Sequence, residues 1–293
     1  MLNLPDQPAF IIPSQCVLGE GPVWDDRAGC LWFTDIQQSQ LLCWQHAARR
    51  LDRFALPERL GSLALTDDPG VLLLALASGF ALFSPVTAQT RWLHKVEPTY
   101  RGVRMNDGRV DRQGRFWAGS MVEDETCAPP ERGSLYRLDP PGDVPPLALR
   151  DGISISNSIC FSPDGAWAYF TDTPTRRIVR YPASGALGTG EVFAQTEPGC
   201  WPDGSEVDAA GRVWNAEWGG SRVTAYAPDG SVAGRLPLPV SQPTCAAFGG
   251  PDLDLLFVTS ANEGLTRAEP HAGDVLVYNV GVKGLPAGRF RIT

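Results

Sequence analysis

Short apolar runs alternate with turns rich in glycine and polar residues along the whole chain. In one unit, the apolar residues Val23 and Trp24 precede a polar turn that ends at Gly29, and the apolar residues Leu31 and Trp32 follow it. No long stretch has the 3.6-residue period of an amphipathic helix. Short apolar runs bounded by glycine, proline and aspartate are typical of strands joined by tight turns. The pattern therefore predicts an all-β protein.

The same unit recurs at intervals of roughly 40–50 residues, a period typical of β-propellers with about four strands per blade. A turn near Asp252 marks the sixth unit. Five turn glycines mark the other units: Gly29, Gly70, Gly114, Gly165 and Gly211. Since no linker separates the units, we predict a six-bladed β-propeller formed by residues 1–293 as a single domain. An open propeller would leave two bare sheet edges, and we therefore expect residues 10–12 to pair with residues 289–292 and close the ring.

One polar residue in each unit falls at an equivalent place, just before the predicted first strand. Four of them lie eight residues before a turn glycine, and the motif Phe-Thr-Asp aligns the first and fourth units. The six residues are Glu20, Ser62, Asn106, Asn157, Asp203 and Thr244. Asn, Asp and Ser favour turns for local reasons, but Glu20 is not a turn former. Because the innermost strands of a propeller line a central channel, we expect these six side chains to ring one of its mouths.

Three members of this predicted ring offer oxygen atoms that could bind a metal ion. Glu20 and Asp203 supply carboxylates, and Asn157 supplies an amide oxygen. Oxygen ligands suit hard divalent cations such as Ca²⁺, Mg²⁺ or Mn²⁺. Such a cation can polarise a carbonyl group and acidify a water molecule.

Composition excludes several other classes of function. The net charge of −8 argues against nucleic acid as a partner, and no apolar run approaches the length of a membrane helix. The three histidines show no zinc-binding spacing and fit no Ser-His-Asp triad. Seven cysteines without a C-x-x-C pair, together with an N-terminus that does not read as a signal peptide, predict reduced thiols and a cytoplasmic location.

At the candidate site residues the chain resembles the senescence-marker-protein/gluconolactonase/regucalcin family. The resemblance lies in five short segments that together span most of the sequence: 18–24 (LGEGPVW), 104–108 (RMNDG), 119–121 (GSM), 155–157 (ISN) and 202–204 (PDG). It implies a six-bladed propeller with one divalent metal ion in the channel, which could be Ca²⁺, Mg²⁺, Mn²⁺, Zn²⁺ or Fe²⁺.

The resemblance also implies roles for individual residues. Glu20, Asn157 and Asp203 would be metal ligands, and Asp203 would also be the acid/base residue. Arg104 and Asn106 would contact the substrate. Family members often place a glutamate after the segment that matches 119–121, where this chain offers Glu123 and Asp124, and on spacing we favour Asp124. Trp201 and Trp218 could stack on a sugar ring or pack between blades.

The function implied by the resemblance is metal-dependent hydrolysis of a sugar lactone to an aldonic acid. A lactone has a carbonyl for the metal to polarise and hydroxyls for Arg104 and Asn106 to hold. Two alternatives remain open on the sequence alone. One is an esterase or organophosphate hydrolase of broader specificity, and the other is a calcium-binding propeller without catalytic activity.

Overall fold

The computed structural model describes residues 1–97, 102–184 and 187–293. Its strands form six antiparallel sheets, with a fifth strand added to one of them. Among the described residues, the only helical element is a single turn of 3₁₀ helix, Thr173–Thr175. The prediction of an all-β, six-bladed propeller is confirmed.

Each blade runs from an innermost strand beside the channel to an outermost strand at the rim. Blade one contains β2 (Gly19–Asp25), β3 (Cys30–Asp35), β4 (Gln40–Gln45) and β5 (Arg50–Ala55). Blade two contains β6 (Leu60–Thr66), β7 (Leu72–Leu76), β8 (Gly79–Ser84) and β9 (Gln89–Lys95). Blade three contains β10 (Val103–Val110), β11 (Phe116–Val122), β12 (Gly133–Leu138) and β13 (Leu147–Ile153).

The last three blades follow the same order, and the two terminal strands join blades two and six. Blade four contains β14 (Ser156–Phe161), β15 (Trp167–Asp172), β16 (Arg177–Pro182) and β17 (Glu191–Gln195), and blade five contains β18 (Trp201–Val207), β19 (Val213–Trp218), β20 (Arg222–Tyr226) and β21 (Val232–Pro237). Blade six contains β22 (Pro243–Gly249), β23 (Leu255–Ser260), β24 (Val275–Asn279) and the N-terminal strand β1 (Phe10–Ile12). The C-terminal strand β25 (Arg289–Phe290) lies beside β6 of blade two.

Six hydrophobic clusters of the described residues lie between neighbouring blades, one at each boundary. Consecutive residues of a central strand point to opposite faces of the sheet, so each strand supplies two clusters. On β3, Leu31 and Phe33 pack toward blade six, whereas Cys30 and Trp32 pack toward blade two. Burial of both faces explains why the central strands are apolar at nearly every position.

An aspartate organises the turn between the first two strands in blades three and five. In blade three, Asp111 accepts hydrogen bonds from the backbone N–H groups of Gln113 and Arg115 at 2.9 Å and from Trp117 Nε1 at 2.9 Å. Asp208 does the same in blade five for Ala210, Arg212 and Trp214. The glycine of each turn has a positive φ, 81° at Gly114 and 82° at Gly211, and Gly29 and Gly165 share this conformation, which explains four of the five glycines that marked the repeat.

The ring closes differently from the prediction. Residues 10–12 do close it, but they form β1 and pair with β24 of blade six. Arg289 and Phe290 instead lie parallel to β6 of blade two. The two terminal strands therefore do not pair with each other. The C-terminal segment crosses the far end of the channel, where residues 285–288 line a small cavity together with Arg109 and Glu206. No helix in the described part of the chain is long and apolar enough to cross a membrane.

Removal of β1 should therefore damage the protein more than removal of β25. A chain of residues 14–293 loses the fully buried Ile12 and exposes the edge of β24, which invites edge-to-edge association. Loss of the Ile12 side chain alone should cost about 2–5 kcal/mol. A chain of residues 1–288 keeps four strands in every blade and should stay in the association state of the full-length protein. Chemical denaturation would compare the stabilities of the two chains, and size-exclusion chromatography would compare their association states. Association of the 1–288 chain alone would contradict closure of the ring by β1.

Candidate active site

One end of the channel opens into a cavity of about 390 Å³. Its floor is polar and its walls are mostly apolar. The lining residues are Leu18, Glu20, Ile36, Arg104, Asn106, Met121, Ile155, Asn157, Thr173, Pro174, Trp201, Asp203, Trp218 and Glu263. Every blade except the second contributes a side chain to this lining.

The polar floor is built on irregularities in the innermost strands. The ring residues lie within these strands, not before them as the sequence predicted, and the strand pairing shifts register at or next to them. A β-bulge of this kind re-aims side chains and interrupts the ladder. The bulge residue after Glu20 is Gly21, with φ 56°, and the residue after Asn157 is Ser158, with φ 61°. The bulges therefore explain how charged and amide side chains of buried strands reach the channel.

Four of the six predicted ring residues meet at the cavity: Glu20, Asn106, Asn157 and Asp203. Ser62 and Thr244 are fully buried and do not line it. Thr244 Oγ1 donates a hydrogen bond of 2.5 Å to the carbonyl of Gly19, so it supports the backbone beside Glu20. The matched positions are thus structurally equivalent, but only four of them face the cavity.

Two carboxyl groups, those of Glu20 and Asp203, lie together at the floor of the cavity. Their residues are only 6% and 8% exposed. Burial raises the pKa of both, and each is raised further by another carboxylate, Asp107 acting on Glu20 and Glu20 acting on Asp203. Neither forms a salt bridge among the described residues. Within the described part of the chain, the pair therefore lacks a counter-ion in direct contact.

Asn157 presents an amide beside this pair and is held from two sides. Its Oδ1 accepts a hydrogen bond from Asn106 Nδ2 at 3.0 Å, and its Nδ2 donates to Thr173 Oγ1 at 2.9 Å. Thr173 in turn donates to the carbonyl of Pro202, next to Asp203. The amide oxygen keeps a free lone pair.

The donor set fits a hard divalent cation. Two buried carboxylates would be neutralised by a 2+ charge, and the Asn157 amide adds a third oxygen. In the described chain, no three His, Cys, Asp or Glu side chains cluster in a way that could hold a metal. Any metal in this cavity would therefore rely on two carboxylates, the amide and ligands from outside the protein.

Arg104 lies beside the metal-ligand candidates and is almost fully buried, with 4% of its surface exposed. Its Nη1 donates to Asn106 Oδ1 at 2.6 Å, and its Nε donates to Glu123 Oε1 at 3.0 Å. Arg59 Nη1 contacts the same Glu123 oxygen at 2.5 Å. Burial lowers the pKa of Arg104, and the Glu123 carboxylate opposes that effect. Arg104, Asn106 and Glu123 thus form one connected polar wall.

Asp124, the residue favoured on spacing, does not lie in this wall. Its side chain is exposed and accepts hydrogen bonds from the backbone and hydroxyl of Thr126. The chain turns outward after Glu123, and no residue of 124–132 lines the cavity. Glu123 does not line the cavity either, but it contacts the lining residue Arg104, so it is the better candidate of the two for a role at the site.

Two further aspartates position the floor from outside. Asp35 accepts hydrogen bonds from the backbone N–H groups of Val17 and Leu18, just before Glu20. Asp172 does the same for Ser154 and Ile155, just before Asn157. These are the aspartates of the Phe-Thr-Asp motif that aligned the two units. The sequence showed their equivalence without revealing their role.

The cavity walls contain the two tryptophans that the sequence suggested, together with residues that sequence reasoning missed. Trp201 and Trp218 are cross-strand neighbours in blade five and line one side. Trp201 is 39% exposed, which leaves much of its ring open to a ligand. Thr173 was detectable from the motif that precedes it, whereas Glu263 follows β23 in a segment with no repeat signal. An aromatic side wall over a polar floor suits a compact ring with hydroxyl groups on its faces.

Comparisons with known proteins agree with this site. Residues 18–262 match the family described as "SMP-30/Gluconolactonase/LRE-like region". The chain is 40% identical to an L-arabinolactonase of Azospirillum brasilense over 97% of this chain and 95% of that protein. It is 36% identical to a 6-deoxy-6-sulfogluconolactonase of Pseudomonas putida, covering 94% and 95% of the two chains.

Among solved structures, the fold matches a regucalcin from Agrobacterium tumefaciens that is described as a calcium-binding protein. The TM-score is 0.91 at 35% identity, and the match covers 99% of this chain and 100% of that one. The matched segment, 18–262, begins just before Glu20 and includes every residue of the polar floor. The chain belongs to the SMP-30/gluconolactonase/LRE-like family.

Proposed function

We propose that this protein is a hydrolase that opens the ring of a sugar lactone to give an aldonic acid in carbohydrate catabolism, with one divalent cation at the cavity floor. The observation that carries the proposal is the convergence of two buried carboxyl groups and an amide oxygen on the floor of one cavity, with Arg104 next to them. The names of the relatives, an arabinolactonase and a sulfogluconolactonase, support the substrate class. A calcium-binding structural neighbour supports the cation. The seven unbridged cysteines suit a cytoplasmic location.

Each residue of the floor has a definite role in this proposal. Glu20, Asn157 and Asp203 would hold the cation, which acts as a Lewis acid toward the lactone carbonyl when bound. Arg104 and Asn106, fixed by Glu123 and Ser156, would orient the ring and stabilise negative charge that develops on oxygen. Trp201 and Trp218 would cover one face of the sugar and exclude water from it.

The reaction needs one proton transfer at Asp203. A water molecule attacks the carbonyl carbon while its proton passes to the Asp203 carboxylate. The bond from the acyl carbon to the ring oxygen then breaks, and Asp203 gives the same proton to the ring oxygen, which becomes a hydroxyl and leaves Asp203 as a carboxylate. Burial and the neighbouring Glu20 carboxylate raise the pKa of Asp203, which favours its role as the proton acceptor.

The activity itself should depend on a divalent cation. Hydrolysis of xylono-, arabinono-, galactono- and gluconolactones, followed with a pH indicator, should stop after chelation and return when Ca²⁺, Mg²⁺, Mn²⁺, Zn²⁺ or Fe²⁺ is added back. Aryl esters and an organophosphate serve as comparison substrates. Faster turnover of those substrates than of any lactone would favour the broader hydrolase, and metal binding without turnover of any substrate would favour a calcium-binding propeller.

Removal of one carboxylate should weaken metal binding yet stabilise the metal-free protein. The folded pKa values of Glu20 and Asp203 lie above the ordinary values of 4.5 and 3.8. Between the ordinary pKa and the raised pKa of each group, the unfolded chain therefore binds fewer protons than the folded chain. The free energy of unfolding falls as pH rises through this range. Metal-free Glu20→Gln and Asp203→Asn should denature at higher temperature than metal-free wild type at pH 8, with about 1.4 kcal/mol gained per unit of pKa elevation removed. The gain should shrink toward pH 5.

The matched control for this prediction is Asp229→Asn. Asp229 is exposed, and hydrogen bonds from Ser231 lower its pKa. The ionised Asp229 side chain therefore stabilises the folded protein at pH values above its ordinary pKa. This stabilisation is lost as the pH falls through its lowered pKa. Metal-free Asp229→Asn should be no more stable than wild type at pH 8. If Glu20→Gln and Asp203→Asn also failed to gain stability, the two carboxyl groups would not oppose each other as the structure indicates.

Glu123 and Asp124 can be separated by a pair of isosteric substitutions. Glu123→Gln weakens the charge-assisted contact that holds Arg104, and kcat/KM for the best lactone should fall about tenfold. Asp124→Asn should stay within about twofold of wild type because its side chain faces solvent. Neither change should alter metal affinity measured by calorimetry. A larger loss from Asp124→Asn would return the substrate contact to that residue.

A further inference from the structure

Arg109 is a buried arginine that spans the channel below the cavity floor. It belongs to β10 in blade three, and its side chain is 12% exposed. Its Nη2 donates to the carbonyl of Ser205 at 2.9 Å and contacts Cys245 Sγ at 3.7 Å. Its Nη1 donates to the carbonyl of Pro22 at 3.3 Å and lies 3.1 Å from Glu206 Oε2. One guanidinium thus joins blade three to blades one, five and six.

The two backbone carbonyls that Arg109 bonds occupy equivalent positions relative to Glu20 and Asp203, two of the metal-ligand candidates. Pro22 follows Glu20 by two residues, and Ser205 follows Asp203 by two residues. The innermost strands have no neighbouring strand on the channel side, so their carbonyls need another hydrogen-bond donor there. Arg109 supplies it to both strands at once. One side chain therefore ties together the two backbones that carry Glu20 and Asp203.

The guanidinium is also held as a cation. Burial alone would lower the pKa of Arg109, but the Glu206 carboxylate, with further contributions from Cys245 and Asp107, raises it above its usual value. Glu206 is itself oriented by the N–H group of Val207 at 2.9 Å. Arg109 does not line the substrate cavity. It reaches only the small cavity at the opposite end of the channel.

We propose that Arg109 is a positioning residue that sets the separation of the Glu20 and Asp203 carboxyl groups and thereby the affinity for the divalent cation. This inference rests on the proposed metal site. Residues that orient metal ligands typically change metal affinity by about 10–100-fold when they are lost. A residue that only stabilised the fold would lower the denaturation temperature without changing the affinity.

The test compares Arg109→Met and Arg109→Lys with the matched control Arg115→Met. Arg115 also bonds across a blade boundary, from its Nη2 to the carbonyl of Ala183, and pairs with a buried aspartate, but it lies away from the channel mouth. Affinities for Ca²⁺ and Mn²⁺ would be measured by calorimetry on metal-free protein, and denaturation temperatures on the same samples. Arg109→Met should weaken binding about tenfold or more. Arg109→Lys should fall between it and wild type, because one ammonium group cannot hold both carbonyls.

The outcomes separate this inference from the proposed function. Arg115→Met should lower the denaturation temperature while its metal affinity stays within about twofold of wild type. If Arg109→Met does not fold, Arg109→Lys decides. Wild-type affinity in a folded Arg109 variant would overturn the positioning role and leave the metal site intact. Absence of metal binding by the wild-type protein would overturn both.

Discussion

The structure depends on burying both faces of six sheets at the same time. Each cluster of core residues is shared by two neighbouring blades, so no blade can bury its side chains without the next one. This requirement arranges the sheets around an axis and turns their inner edges toward it. Backbone groups at those edges cannot all find partners in a neighbouring strand. The packing therefore creates a channel lined by backbone groups that need hydrogen-bond partners. Side chains such as Arg109 and Thr244 supply some of these hydrogen bonds.

The same geometry makes it possible to bury charges that oppose each other. Glu20 and Asp203 come from blades one and five, which are held in place by extensive apolar packing unrelated to the site. Two carboxyl groups forced together cost stability, and the packing elsewhere supports that cost. Strain of this kind at a functional site is expected when the site is completed by a ligand. The carboxylates, and not the surrounding apolar walls, are thus the strongest sign of what the cavity binds.

The repeat made much of this predictable from sequence. Turn glycines gave the blade number and aligned Asn106, Asn157 and Asp203, because each φ-positive glycine sits at a fixed distance from the channel mouth. The repeat could not show that the bulges at Gly21 and Ser158 place the ring residues inside the strands. Closure was misjudged because pairing of distant strands leaves no local signal. The preference for Asp124 over Glu123 rested on spacing alone, whereas the direction in which a chain leaves a sheet depends on the insertion that follows.

The site also divides its work between two kinds of element. Glu20, Asn106, Asn157 and Asp203 lie on buried innermost strands, where neighbours on both sides restrict their positions. The walls come instead from strand ends and connections, such as Pro174, Trp218 and Glu263. Such positions tolerate substitution better than strand centres do. A family that keeps the floor and varies the walls can hydrolyse different lactones on one scaffold, because the chemistry and the recognition of the substituents are carried by different parts of the chain.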